Sequence, residues 1–289
     1  MESRRPPRHP RPAPSSKQTA APAQPPRPAP APASPAPAAG GHRRPDKPAL
    51  RPQTTTLWDY PSQHYGATQQ GDSRYIGATP SYVIWNVISR YSAPGDTVLD
   101  PMCGSGTTLD VARDLGREGL GFDLKPYRDD IVRADARRLP VDNEAASLVF
   151  LDPPYGDHIA YSDDGRCIGK ISAFDPRFYR EMGRVFDEVN RVLKPGGVFA
   201  LYVCDYFEKK KGFAPVGMSL FALMGQHFEA VDVVSVVRHN KSLGQGNWHL
   251  AAAEGNFFLR GFNYLFIVRK PLIDEENLPH GGRPSRRGR

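Results

Sequence analysis

Between residues 54 and 272 the chain alternates short apolar runs with stretches whose apolar positions recur at helical spacing. Pro80 to Arg90 has the helical period, and Pro80 suits the first turn of a helix because it has no amide to leave unpaired. Thr97-Val-Leu-Asp100 is a short buried strand that runs into the glycine-bearing loop Pro101 to Thr107, with a helix from there to about Leu115. Further strands are predicted at Gly119–Asp123, Ile131–Asp135, Ala146–Asp152, Val198–Val203, Val231–Val237 and Tyr264–Arg269. Helices are predicted at Pro176–Leu193, closed by Lys194-Pro-Gly-Gly197, and at Val216–Met224. Strands that alternate with helices imply an α/β fold with a doubly wound, mostly parallel sheet, here of seven strands. The last two strands are expected to pair as an antiparallel hairpin at one edge. Ligands of such a sheet bind beyond the carboxyl ends of its strands.

The flanks differ in kind. Residues 1–53 contain 16 of the 30 prolines and ten Lys or Arg against two acids. So few large apolar residues cannot bury a core, and the expectation is a disordered arm with polyproline II character. Residues 273–289 read as a flexible basic tail. Together the flanks carry more than the whole net charge of +7, so the folded part is close to neutral. Total charge is therefore no argument for a nucleic-acid partner. No run of 18 apolar residues suggests a membrane span, and the arm lacks the apolar segment of a signal peptide. Three widely spaced cysteines fit a reducing cytoplasm and argue against a disulfide framework or a metal site.

Chemistry gathers at the strand ends. In Asp100-Pro-Met-Cys-Gly-Ser-Gly-Thr107, Gly104 and Gly106 let the backbone approach a ligand at a helix N-terminus, although such a loop alone is also simply a tight turn. Asp123 follows Asp100 by 23 residues, the separation of an acid that accepts from ribose hydroxyls. Asp135, next to Ala136, ends the third strand and can accept from an adenine amino group. Three acids on three successive strands around a glycine loop point to a nucleoside-bearing cofactor. Asp152-Pro-Pro-Tyr155 ends the fourth strand, in a loop that its prolines make rigid. The Asp152 carboxylate and Pro153 carbonyl can both accept from one amino group, while Tyr155 stacks on the ring that bears it. Such acceptors favour the pyramidal amine that attacks a methyl sulfonium in line.

Residues 54–271 resemble the DNA amino-methyltransferases, which act on adenine N6 or cytosine N4. Asp100-Pro-Met-Cys-Gly-Ser-Gly-Thr-Thr108 is similar to their cofactor motif, and Asp152-Pro-Pro-Tyr155 to their catalytic one. The resemblance implies a Rossmann-like methyltransferase sheet and S-adenosylmethionine as cofactor. It assigns Thr79, Asp100, Pro101, Cys103, Gly104, Gly106, Thr107, Asp123, Asp135 and Ala136 to the cofactor, and Asp152, Pro153, Pro154 and Tyr155 to catalysis. Thr79 stands where many of these enzymes have a lysine. The motif order, cofactor first, also resembles the tRNA guanine-N2 methyltransferases, which makes RNA the alternative to DNA. A carbon-5 cytosine methyltransferase would need a cysteine on the catalytic loop, which has none.

No separate recognition domain remains, so substrate readout is expected from loops. Gly156–Ile171 supplies His158, Tyr161, Arg166 and Lys170; Arg238–His249 supplies Arg238, Asn240, Lys241 and Trp248. Lys209–Lys211, between aromatic residues, reads equally as a groove for phosphates or as a solvated turn. A base inside a duplex must be flipped out to reach Asp152.

Overall fold

The computed structural model describes residues 49–272 apart from 73, 156–158, 160 and 240. Most of the arm, the tail from 273, and the expected substrate residues His158 and Asn240 lie outside the described residues.

The elements in chain order begin with β1 (Leu57–Trp58), α1 (Ser81–Tyr91), β2 (Thr97–Asp100), α2 (Thr107–Asp114), β3 (Glu118–Asp123), β4 (Ile131–Arg133) and β5 (Ala146–Leu151). They continue with α3 (Pro176–Val192), β6 (Leu193–Val203), β7 (Tyr206–Glu208), β8 (Gly212–Ala214), α4 (Val216–Met224), β9 (Glu229–Val237), α5 (Gly246–Glu254) and β10 (Phe262–Arg269). The main sheet has the order β1-β9-β10-β6-β5-β2-β3-β4. Neighbours from β6 to β4 pair in parallel, and β10 runs antiparallel to both β6 and β9.

The seven expected strands are present, and an eighth extends them. β1 pairs with β9 through two residues, too few for any periodicity to announce. The expected hairpin forms with β10 on its inner side, wedged between β6 and β9. The closing Lys194-Pro-Gly-Gly197 is not a separate loop, because β6 already begins at Leu193. Its pairing with β5 jumps from Ala146–Leu193 to Leu148–Val198, and Gly196 takes φ +74° within the irregularity. The third strand stops at Arg133, so Asp135 sits in the turn beyond it, bridged to Arg138. Two segments read as loops are ordered elements: residues 206–214 form the β7–β8 hairpin, and 241–254 form a 3-10 turn followed by α5.

Side-chain alternation along the central strands builds two apolar layers. Leu99, Val149, Leu151, Leu201 and Val203 face α3 and α4, whereas Val98, Leu148, Phe150, Ala200 and Tyr202 face α1 and α2. Burial on both faces is why these strands read as continuous apolar runs rather than as alternating ones. α3 presents Phe178, Met182, Val185, Phe186, Val189 and Val192 at three- and four-residue intervals. Asp175 caps it by accepting from the Arg177 amide at 2.9 Å, a contact worth about 1 kcal/mol.

Candidate active site

A cavity of about 570 Å³ opens at the carboxyl ends of the strands, where a doubly wound sheet binds its ligands. Its walls include Thr79, Asp100, Pro101, Cys103, Gly104, Thr107, Asp123, Asp135, Ala136, Asp152, Pro154, Tyr155, Tyr161 and Arg238. Sequence reasoning reached these residues singly, and the fold brings them into one space. Pro153 is buried behind the wall. Lys170 turns away, donating to the Asp163 carbonyl at 2.6 Å. Trp248 lies on α5 outside the wall, half-exposed, with its indole N–H on Gln245 at 3.1 Å.

The glycine loop is fixed from both sides. The Cys103 amide donates to the Phe122 carbonyl at 2.8 Å, and the Gly104 amide to Asp123 Oδ2 at 3.0 Å. Asp100 is committed to the loop itself: Oδ1 accepts from the Met102 amide at 3.1 Å and Oδ2 from the Thr108 hydroxyl at 2.5 Å. Gly104 has φ +51°, and a Cβ there would come within 3.0 Å of the Tyr75 ring. Gly106, at φ +82°, lies behind the wall as the N-cap of α2, and its Cβ would meet the Arg128 guanidinium at 2.6 Å. Glycine is therefore required at both positions, at 104 to seat an aromatic ring and at 106 to seat a guanidinium.

Asp135 is already paired. Arg137 grips it with Nε at 2.9 Å and Nη2 at 2.7 Å while also reaching Glu181. Burial alone would raise this carboxyl, but the two Arg137 contacts outweigh it and hold it below the ordinary carboxylate range. Asp135 thus keeps its charge and has little bonding capacity left to offer a ligand.

Asp152 stands at the end of β5. The Thr79 hydroxyl donates to its Oδ2 at 2.5 Å, while Oδ1 receives no hydrogen bond among the described residues. Burial pushes its pKa up to about 7; the Thr79 bond and Arg238 pull it down, and the Asp100 charge adds to the rise. Asp100 is likewise pushed to about 7, by burial and the charge of Asp123, against the Thr108 and Met102 bonds. Tyr155 packs between the cavity and the α3 layer, its hydroxyl pushed well above the usual phenol range by burial and then by Asp152.

Several wall residues carried no expectation: Tyr60, Tyr75, Tyr82, Tyr202 and Asn263. Tyr75 belongs to an aromatic stretch visible in sequence, yet nothing local ties it to Gly104, 29 residues away. Asn263 had a signal that passed unused, a polar residue inside the otherwise apolar strand Phe262–Arg269. The walls suit a cationic nucleoside ligand: four carboxyls face two guanidiniums, and a glycine loop closes one end.

Comparison with known proteins points the same way. Residues 35–133 match the family model described as DNA methylase, a match that ends before the Asp152 loop. The type II methyltransferase M.HinfI of Haemophilus influenzae is 33% identical over 88 residues, covering 29% of this chain and 24% of that protein. M2.DpnII of Streptococcus pneumoniae is 40% identical over 65 residues, covering 22% and 23%. The aligned part of the chain thus spans about a quarter of the length of these relatives. Among solved structures, TrmN from Thermus thermophilus aligns over 68% of this chain and 50% of its own, at 18% identity and a TM-score of 0.45. Residues 35–133, which hold the glycine loop, are thus similar in sequence to DNA methylases, and the glycine loop lies at the carboxyl ends of a Rossmann-like, mostly parallel sheet.

Proposed function

We propose that this protein transfers a methyl group from S-adenosylmethionine to the exocyclic amino group of a DNA base, adenine N6 or cytosine N4, with residues 152–155 as the catalytic loop. The observation that carries this reading is Asp152: a half-buried carboxylate at the end of β5, anchored through one oxygen and open through the other, on the cavity that the glycine loop also lines. S-adenosylmethionine supplies the electrophilic methyl group. Asp123 holds the ribose hydroxyls, and Ala136 with Asp135 borders the adenine.

The chain's own contribution to the reaction is to orient the amine. Oδ1 of ionised Asp152 and the Pro153 carbonyl accept its two protons, which pulls the lone pair out of conjugation and aims it along the transfer axis. Tyr155 offers its ring face in place of the stacking that the flipped base loses. The Thr79 hydroxyl keeps the carboxylate turned toward the amine. Tyr161 and Arg238 extend the wall on the substrate side, with His158, Asn240, Lys241, Lys170 and Trp248 on the flanking segments as candidate contacts to the strand. DNA is the partner, with tRNA or rRNA guanine N2 the rival substrate.

Incubating the protein with methyl-labelled cofactor and unmethylated duplex DNA, single-stranded DNA or tRNA, then digesting to nucleosides, tests this directly. Label in adenine or cytosine of DNA supports the reading, and label confined to guanine of tRNA refutes it.

A further inference from the structure

Three strand registers set Asp152 level with Tyr202, Asn263 two residues further toward the carboxyl ends of the parallel strands, and Arg238 two residues beyond that. Leu151 pairs with Leu201, so Asp152 follows beside Tyr202. Val203 pairs with Tyr264, which brings Asn263 beside the end of β6, and Asn263 itself pairs with Val236 of β9. Phe150, Tyr202, Leu265 and Val236 all belong to the α1-side layer. Asp152, Asn263 and Arg238 each stand two residues from a member of that layer on the same strand, so they share its face. All four line the cavity.

Two of them have unused bonding capacity. Asn263 is only 8% exposed, and its Oδ1 has no hydrogen-bond partner, a rare condition for a buried polar atom. Its amide lies against the Tyr202 hydroxyl, toward which it acts as a donor. A half-turn of the amide lets that hydroxyl donate to Oδ1 instead and turns the NH2 to the cavity. Arg238 touches Cys204 Sγ at 3.0 Å and, among the described residues, has no carboxylate within ion-pairing distance. Its charge is nevertheless felt by both Asp152 and Tyr155. The wall then presents an acceptor at Asp152, a donor at Asn263 and a donor at Arg238.

We propose that Asn263 and Arg238 read the Watson–Crick edge of the flipped base and select cytosine over adenine; this rests on the amino-methyltransferase reading above. Asp152 and Asn263 stand on strands two apart and two residues out of level, about 12 Å between their Cα atoms, a gap that side chains reaching in from both ends narrow. Beside its amine, cytosine carries a ring nitrogen and then a carbonyl, so each donor meets an acceptor. Adenine has the ring nitrogen but a C–H where the carbonyl would be, which would leave the half-buried Arg238 without a partner. Sites built to bond a polar group reject an analogue lacking it by several orders of magnitude.

The test digests unmethylated duplex DNA to nucleosides after reaction with the full chain, then repeats the assay with Asn263→Asp, which keeps the size but removes the donor. N4-methylcytosine is expected in at least hundredfold excess over N6-methyladenine. Asn263→Asp is expected to lower kcat/KM for DNA about tenfold or more, while calorimetric affinity for S-adenosylmethionine stays unchanged. N6-methyladenine or N2-methylguanine as the main product overturns the proposal. Absence of methyl transfer to any base of DNA overturns it together with the reading it rests on. A folded Asn263→Asp protein with undiminished kcat/KM removes Asn263 from the edge, and the product of the unaltered protein decides base choice even if that variant fails to fold.

Discussion

Replacing Thr79 by Val removes one hydroxyl and keeps the shape of the side chain, which isolates the 2.5 Å bond to Asp152. A hydrogen bond to a charged group is worth about 1.5–3 kcal/mol. Because that bond favours the ionised carboxylate, its loss raises the Asp152 pKa, by about one to two pH units at 1.36 kcal/mol per unit. The starting value of about 7 makes the change visible near neutrality. At pH 7 the ionised fraction falls from about half to one in ten or less, so methyl transfer drops about five- to fiftyfold. Activity returns as the pH is raised by two units, and Thr79→Ser keeps the original profile. The assay is the pH dependence of kcat/KM for labelled methyl transfer to DNA, with melting curves to establish folding. A Thr79→Val profile that superimposes on the parent, or a loss equal at every pH, would refute the role of this bond in holding Asp152 ionised.

Other outcomes follow from the same geometry. Asp123→Ala leaves the Gly104 and Lys125 amides without their acceptor and should weaken S-adenosylmethionine binding about tenfold or more, measured by calorimetry on a folded variant. If, as proposed, the Tyr155 ring stacks on the base, Tyr155→Phe should keep much of the activity and Tyr155→Ala little; equal losses in single-turnover assays would move the role to the hydroxyl. Asp100 has a folded-state pKa of about 7, above the unfolded value near 3.9. Its contribution to stability is full below about pH 4 and is lost as the pH rises through 7. Asp100→Asn should therefore gain in Tm relative to the parent between pH 5 and pH 8, and a constant difference would contradict the raised pKa.

Strand positions and the two motifs were legible because they depend on local spacing. Thr97–Asp100 had to be buried on both faces, and Asp152-Pro-Pro-Tyr155 carries its stiffness in its own prolines. Pairings between distant segments were not legible. Leu57–Trp58 became a strand only because β9 offered an open edge, and Tyr75 reached Gly104 through the path of the segment before α1. Arg137 was read past because nothing local shows that it neutralises Asp135 and bridges to α3. The segment 238–249 looked like a polar loop because α5 has no strongly apolar face, and Ala252 is its sole buried residue.

β10 enters the sheet between two strands made earlier, β6 and β9. During synthesis β6 therefore presents an unpaired, apolar edge from residue 203 until residue 269 has emerged, an interval of some sixty residues. Such an edge is a template for pairing with another chain. The nascent protein is thus at its most aggregation-prone until β10 has emerged, and a chain stopped within α5 would keep the glycine loop and Asp152 while lacking the strand that fills the gap between β6 and β9. Soluble expression should consequently fall sharply for products ending before Phe262 and recover only when the strand is restored.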